Sequence, residues 1–426
     1  MKFETISVIG LGYIGLPTAA VIASRRKKVI GVDVNQNAVD TINRGEIHIV
    51  EPELDMIVHA AVTEGYLQAT TKPQPSDAFM IAVPTPFKSG LENNHHEADL
   101  SYIKAAAIAL APVLKSGDLV ILESTSPVGA TEKMSEWLSE IRSDLTFPQT
   151  HGESSDIRIA HCPERVLPGH VVRELVENDR VIGGMTPKCS EAAKALYKIF
   201  VSGECLVTTA RTAEMAKLTE NSFRDVNIAF ANELSIICEK LDINVWELIS
   251  LANRHPRVNI LQPSAGVGGH CIAVDPWFIV DSCPEEAHLI RTAREVNDKK
   301  PSWVLNQVKD ALIKSCESKT GCTTSDIKVA CLGIAFKPDI DDLRESPALS
   351  ITSEISKLGC QVQVVEPNIE RLPKDLVREN IELVSLRQSL DEADVICVLV
   401  KHSPFTEEIK NLSAKNFIID SVGLLS

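Results

Sequence analysis

Short and almost unbroken apolar runs recur along the chain, each closed by small or polar residues. Ile6 to Ile9, Lys28 to Val32, Asp77 to Val83, Leu119 to Leu122, Ile157 to Ala160 and Val181 to Gly184 are too short for helices. They also lack polar alternation, which predicts strands covered on both faces, as in a parallel sheet. Pro17 to Ser24 reads as a helix between the first two runs. From Thr212 to about Ala252, and again from Ala287 to Ile313, the spacing becomes helical with few breakers. Strand-like runs then return in the order of the first set: Lys328 to Gly333, Gln361 to Glu366, Asp394 to Val400 and Phe417 to Ser421. The pattern predicts an α/β protein with two Rossmann-like, doubly wound parallel sheets joined by a central helical domain. The expected boundaries are 1–210, 211–318 and 319–426.

Composition narrows the choice of partners. A chain of 426 residues is long enough for two or three domains. Its net charge of −15 argues against nucleic acid or an anionic membrane as the main partner, although local arginines can still bind a small anion. The eleven cysteines are scattered, without CxxC or paired Cys/His spacing, which suits reduced thiols in the cytoplasm and no zinc site. His95-His96 with Asp99 reads as a solvent-exposed polar loop, and no metal is expected. No apolar run approaches the roughly 18 residues of a membrane span, and neither a membrane span nor a secretion signal is expected.

Candidate chemistry gathers at strand ends and glycine loops. Gly10-Leu11-Gly12-Tyr13-Ile14-Gly15 lies between a strand and a helix, and Asp33 closes the next strand. That arrangement predicts a dinucleotide turn, with Asp33 on the adenosine ribose. An acid there repels a 2′-phosphate and so favours NAD over NADP. The basic run Arg25 to Lys28 precedes the second strand and reads as a solvated turn. Thr85, Thr125 and Ser126 follow later strands and are candidates for cofactor contact or simply turn formers. Glu164 and Arg165 again follow a strand. Lys217, Asn221 and Arg224 share one helix face, as a site or as a solvated stripe. Gly266-Val267-Gly268-Gly269-His270-Cys271 places a cysteine just ahead of Asp275-Pro276, read as an N-cap and a first helical proline. The alternative is a tight loop around a small buried cysteine. In the third domain Gly333-Ile334-Ala335-Phe336-Lys337 lacks the GxGxxG, which predicts a different nucleotide with Lys337 and Arg344 near its phosphates. Two nucleotide folds imply a cleft that the Cys271 loop and the helix stripe can reach.

Seven motifs in order give the chain a resemblance to the UDP-sugar/GDP-mannose 6-dehydrogenase family over essentially its whole length. They are GLGYIGLP at 10–17, VPTP at 83–86, ESTSPVG at 123–129, CPERVLPG at 162–169, AKLTEN at 216–221, GVGGHC at 266–271 and FKPDIDDLRESP at 336–347. Within it, Ala273-Val274 before Asp275, together with NRHPRVN at 253–259, resembles the branch acting on UDP-N-acetyl-D-mannosamine for enterobacterial common antigen. The family oxidises a sugar 6-hydroxyl twice with two NAD⁺. By that resemblance Cys271 is the nucleophile, and Lys217 and Asn221 serve proton transfer and oxyanion stabilisation. Asp275 orients Lys217 or activates water, and Glu164 lies near the nicotinamide. Gly10, Gly12, Tyr13, Ile14, Gly15, Asp33, Thr85, Thr125, Ser126 and Arg344 are the implied cofactor contacts. Arg165, Val166, Lys217, Asn221, Arg224, His255, Arg257, Gly268, Phe336 and Lys337 are the implied substrate contacts, with Arg257 a candidate from a second subunit of a homodimer or larger assembly. UDP-glucose and UDP-N-acetylglucosamine stay open as substrates. A two-electron β-hydroxyacid dehydrogenase would need neither the cysteine nor the third domain. A non-catalytic NAD sensor would leave Lys217, Asn221 and Cys271 unexplained.

Overall fold

The computed structural model describes residues 2–49, 51–88, 96–167, 169–269, 271–408 and 417–426, so His95 and His270 lie outside the described residues. The chain divides into two compact units, residues 1–220 and 221–426.

The first unit is organised on an eight-stranded sheet. Its strands are β1 (Thr5–Ile9), β2 (Lys28–Val32), β3 (Leu67–Thr70), β4 (Ala78–Ile81), β5 (Leu119–Leu122), β6 (Arg158–His161), β7 (Arg180–Gly184) and β8 (Cys205–Thr209), in the order β3-β2-β1-β4-β5-β6-β7-β8. Strands β4 and β5 are buried along their whole length, as their unbroken apolar runs require. Pairing is parallel from β3 to β6. The parallel expectation is amended at one junction, where β7 meets β6 antiparallel with Ala160 opposite Gly184, and β8 then follows β7. Edge strands β3 and β8 have half-exposed faces and hence no apolar run to announce them. Helix α1 (Gly15–Ser24), rich in alanine and β-branched residues, packs into the main core with only its last residue exposed. α2 (Pro187–Tyr197) starts at Thr186, whose hydroxyl accepts from the Cys189 amide.

α3 (Ala210–Lys240) contains the boundary between the units. The helical stretch expected to reach Ala252 is broken at Asp242, which has φ +56°, and resumes as α4 (Val245–Ala252) under an Asn244 cap. The second unit continues with α5 (Asp275–Ser282), α6 (His288–Glu317) and α7 (Pro347–Ser356). Its sheet is wholly parallel: β9 (Lys328–Leu332), β10 (Gln361–Val365), β11 (Ile381–Leu383), β12 (Val395–Val398) and β13 (Phe417–Asp420), ordered β11-β10-β9-β12-β13.

The two sheets repeat each other down to single hydrogen bonds. Gly10 has φ +90° and donates to the Val32 carbonyl over 2.8 Å; Gly333 has φ +86° and donates to the Val365 carbonyl over 2.8 Å. No helix among the described residues is long and apolar enough to cross a membrane.

Candidate active site

Glycine geometry builds the turn after β1. A Cβ on Gly10 would stand 2.5 Å from the Ala82 carbonyl oxygen, and one on Gly15 would stand 1.7 Å from that of Gly10. A Cβ on Gly12 would meet nothing within 4 Å, so space opens beside the start of α1. No side chain caps α1 at Ile14, and its first amides suit an anionic group such as a pyrophosphate. Tyr13 is exposed at the same turn. Asp33 accepts from the Leu11 amide with one oxygen and from the Asn35 amide with the other, both at 2.8 Å, which ties the turn to the end of β2. The loops after β4 and β5 are stitched together. The Thr85 hydroxyl donates to the Thr125 carbonyl at 2.5 Å, and the Ser124 hydroxyl takes the Val83 amide at 3.0 Å. Ser126 is buried and its hydroxyl has no partner among the described residues, which is what a ligand-facing group shows before its ligand is added. These residues fit a dinucleotide.

Beyond β6 a charged cluster is buried. The antiparallel return of β7 brings Arg180 back to Glu164, and the pair closes at 2.8 Å with both side chains buried. The second Glu164 oxygen takes the Arg165 amide at 2.6 Å. Arg180 also lies over the Tyr197 ring, whose hydroxyl donates to Glu123 at 2.7 Å. Glu164 is thus held in an ion pair inside the unit. Arg180, Glu123 and Tyr197 escaped the sequence reading, although a charge opening the run Arg180-Val181-Ile182 was a signal. Arg165 is paired with Glu220 at 2.6 Å, and Val166 packs on the hydrophobic core.

Burial, and then the charge of Glu164, push Glu123 from an ordinary 4.5 up to about 7. A carboxyl raised in this way binds its proton better folded than unfolded. Its contribution to stability is full below pH 4.5 and is lost as the pH rises through about 7. Glu123→Gln keeps an acceptor for Tyr197 and removes the titration. The variant should gain about 3 kcal/mol on the wild type between pH 4.5 and 8. Urea unfolding at a series of pH values measures this, and parallel curves for the two proteins would refute it.

In the second unit, Asn221 is buried and donates to the Asp275 carboxylate at 2.5 Å. Asn221 is therefore no part of a solvated stripe. Of its expected partners on α3, Lys217 is half-buried and Arg224 is exposed. Asp275 is the first residue of α5 and not its N-cap. The amides of Val274 and Asp275 both donate to the Cys271 carbonyl, at 3.0 and 2.8 Å, so the helical bend starts earlier than the Asp-Pro signal suggests. Cys271 is exposed whereas seven other cysteines are buried, which overturns the small buried cysteine reading. The loop's glycines are required by close packing. Cβ atoms would stand 2.8 Å from Pro347 at Gly266, 2.5 Å from the Glu345 carbonyl oxygen at Gly268, and 2.9 Å from the Phe336 ring at Gly269. A Cβ at Gly268 would also stand 3.0 Å from the Phe336 Cβ.

A cavity of about 780 Å³ opens in this unit, lined among others by Trp246, Gln262, Ser264, Gly266, Phe336 and Lys401. His255, Arg257, Lys337 and Arg344 do not line it. His255 and Arg257 are exposed beyond α4, Lys337 is half-buried, and Arg344 is paired with Asp342 at 2.6 Å. Gln262 and Lys401 were missed. Lys401 follows β12, so the strand-end rule that singled out Thr85 would have found it.

Three family models cover the chain in order: the NAD binding domain of the UDP-glucose/GDP-mannose dehydrogenase family at residues 4–201, its central domain at 211–299 and its UDP binding domain at 330–426. The chain belongs to the UDP-glucose/GDP-mannose dehydrogenase family. It is similar to the UDP-N-acetyl-D-mannosamine dehydrogenase of Campylobacter jejuni, at 66% identity over 95% of this chain and 97% of the relative. The NDP-N-acetyl-D-galactosaminuronic acid dehydrogenase of Ralstonia nicotianae matches at 64% identity over 100% of this chain and 97% of the relative. Among solved structures, the UDP-D-ManNAc dehydrogenase from Pyrococcus horikoshii superposes with a TM-score of 0.86 at 37% identity, over 99% of this chain and 96% of that one. This dehydrogenase of nucleotide sugars therefore uses NAD, on the sheet whose glycine turn is open. Strand β12 and β9 from Ala330 onward, which end beside the cavity, lie in its UDP binding domain.

Proposed function

We propose that this dehydrogenase oxidises the 6-hydroxyl of UDP-N-acetyl-D-mannosamine to the carboxylate, in two successive two-electron steps through Cys271. The observation that carries the reading is an exposed cysteine at the end of a tightly packed glycine loop, four residues before an aspartate that a buried asparagine holds. NAD⁺, when bound at the Gly10–Gly15 turn, accepts a hydride in each oxidation. Lys217 takes the hydroxyl proton as the aldehyde forms. The Cys271 thiolate adds to that aldehyde, because a carbonyl carbon must become tetrahedral before it can be oxidised again. The adduct passes to a thioester, and water releases the acid and returns the thiol. Asn221, oriented by Asp275, stabilises the oxyanion of the adduct. Glu164 serves the hydrolytic water.

Gly12, Asp33, Thr85, Thr125 and Ser126 hold the cofactor. Arg165, Arg224, His255, Arg257, Phe336 and Lys337 surround the sugar nucleotide. We place domain limits at 1–210, 211–318 and 319–426, and the enzyme in the cytoplasm, supplying enterobacterial common antigen. It acts as a homodimer: Phe223, Phe230 and Ile237 recur every seven residues on α3 and are 71%, 51% and 44% exposed, an apolar stripe that a second copy would cover. A mass of one chain in sedimentation would remove the dimer.

The Ralstonia relative favours a second reading, in which the galacto sugar is the substrate. NADH and acid are to be measured with UDP-N-acetylmannosamine, UDP-N-acetylgalactosamine, UDP-N-acetylglucosamine and UDP-glucose. Two NADH per acid and the highest kcat/KM with the manno sugar are expected. A preference for the galacto sugar selects the second reading, and binding of NAD⁺ without turnover ends both.

A further inference from the structure

The Cys271 loop is clasped at both ends by a single face of α3. At its far end Asp275 accepts from Asn221. At its near end the Ser264 amide donates to the Asn232 side-chain oxygen at 2.8 Å, and the Ser264 hydroxyl donates to the Gly266 carbonyl at 2.8 Å. Asn221 and Asn232 are about three turns apart on one side of the helix, roughly 16 Å along its axis.

Behind Asn232 lies a buried chain of amides. The Asn232 amide nitrogen donates to the Asn297 oxygen at 2.9 Å, and the Asn297 nitrogen donates to the Asp225 carboxylate at 2.8 Å and to the Asp225 carbonyl at 3.1 Å. Arg294 closes the chain on the same carboxylate at 2.6 Å. All four side chains are buried. The order of donors is forced from both ends. A carboxylate paired with arginine only accepts, so Asn297 must turn its nitrogen to Asp225 and its oxygen to Asn232. A backbone amide only donates, so Asn232 must present its oxygen to Ser264. The two requirements agree, and neither amide can flip without breaking a buried bond.

We propose that Asn232 and Asn297 are positioning residues that set the Cys271 loop for the second oxidation. The relay uses two helices to fix the near end of the loop at Ser264, while Phe336 and Pro347 pack against its glycines. The inference rests on Cys271 carrying the second oxidation, as proposed above.

The test is single-turnover kinetics with UDP-N-acetylmannosamine on Asn232→Ala, Asn297→Ala and the double variant, with Asn232→Ser read in the same way should an alanine variant fail to fold. The first NADH is expected within about twofold of the wild type, and the second at least about tenfold slower. The double variant is expected to be no slower than either single one, because the two amides act as one unit. Alkylation of Cys271 by iodoacetamide should change rate in all of them. Equal slowing of both steps, which general loosening of the fold would give, overturns the proposal, and so does no slowing of either. Cys271→Ser as a control separates the failures. If that variant still makes acid, the underlying reading is at fault; if it does not, and the second step of the relay variants is normal, only the relay is.

Discussion

Cys271→Ser is expected to lower acid formation at least about a thousandfold, the scale on which loss of a covalent nucleophile is felt, while NAD⁺ binding stays unchanged. Serine fits the site, since Cys271 is exposed and its carbonyl, which the substitution keeps, accepts from the Val274 and Asp275 amides. What the substitution removes is the sulfur nucleophile: a serine hydroxyl is almost wholly protonated at neutral pH, and its ester would hydrolyse less readily than a thioester. The glycine packing on Phe336 and Pro347 involves no sulfur, so the loop should keep its path. Mass spectrometry of the wild type during turnover should find sugar attached to the Cys271 peptide. A serine variant with full activity and two NADH per acid would exclude the thioester route.

Lys217→Ala should slow turnover by at least about a hundredfold, within the range that general acid–base groups contribute. Lys217 is half-buried on α3, one helical turn before Asn221, and shares its face. Deletion leaves the Asn221–Asp275 pair in place, so KM should move much less than kcat. Lys217→Arg should not restore the rate, because guanidinium holds its proton too firmly to act as a base. A near-normal rate in the alanine variant removes lysine from proton transfer and leaves that task to Glu164 or water.

Much of the architecture was legible because buried parallel strands write themselves as apolar runs. β4, β5, β9 and β12 are of this kind, and the break to helical spacing at Thr212 falls within α3. The edge strands β3, β8 and β11 were not legible, since each has polar or exposed positions along it. The antiparallel turn into β7 was not legible either, because strand direction leaves no mark in a run as short as Val181 to Gly184. In the site, glycine patterns marked both turns and the cysteine loop, since each glycine answers a local steric demand. The residues that escaped act through distant partners: Arg180 reaches Glu164, Tyr197 reaches Glu123, and Asn232 reaches Ser264 across 32 positions of chain. No periodicity encodes such pairs. Asp275 shows the opposite error, where Asp-Pro mimics a cap signal although the carboxylate is engaged with α3.

The duplicated turns carry a consequence for how electrons leave the enzyme. Where the first sheet has Asp33, the second has Glu366, buried, accepting from the amides of Ile334 and Ala335 at 2.9 and 3.1 Å and joined to the buried His402 at 3.0 Å. That clasp shuts the second copy, and the Gly12 side of the first stays open. Among the described residues one dinucleotide turn is open, and the proposed double oxidation would use it twice. On the route proposed through Cys271, the spent nicotinamide would have to depart and a fresh one dock while the half-oxidised sugar stayed on sulfur, which would give the proposed tether a second use as a mooring during the exchange.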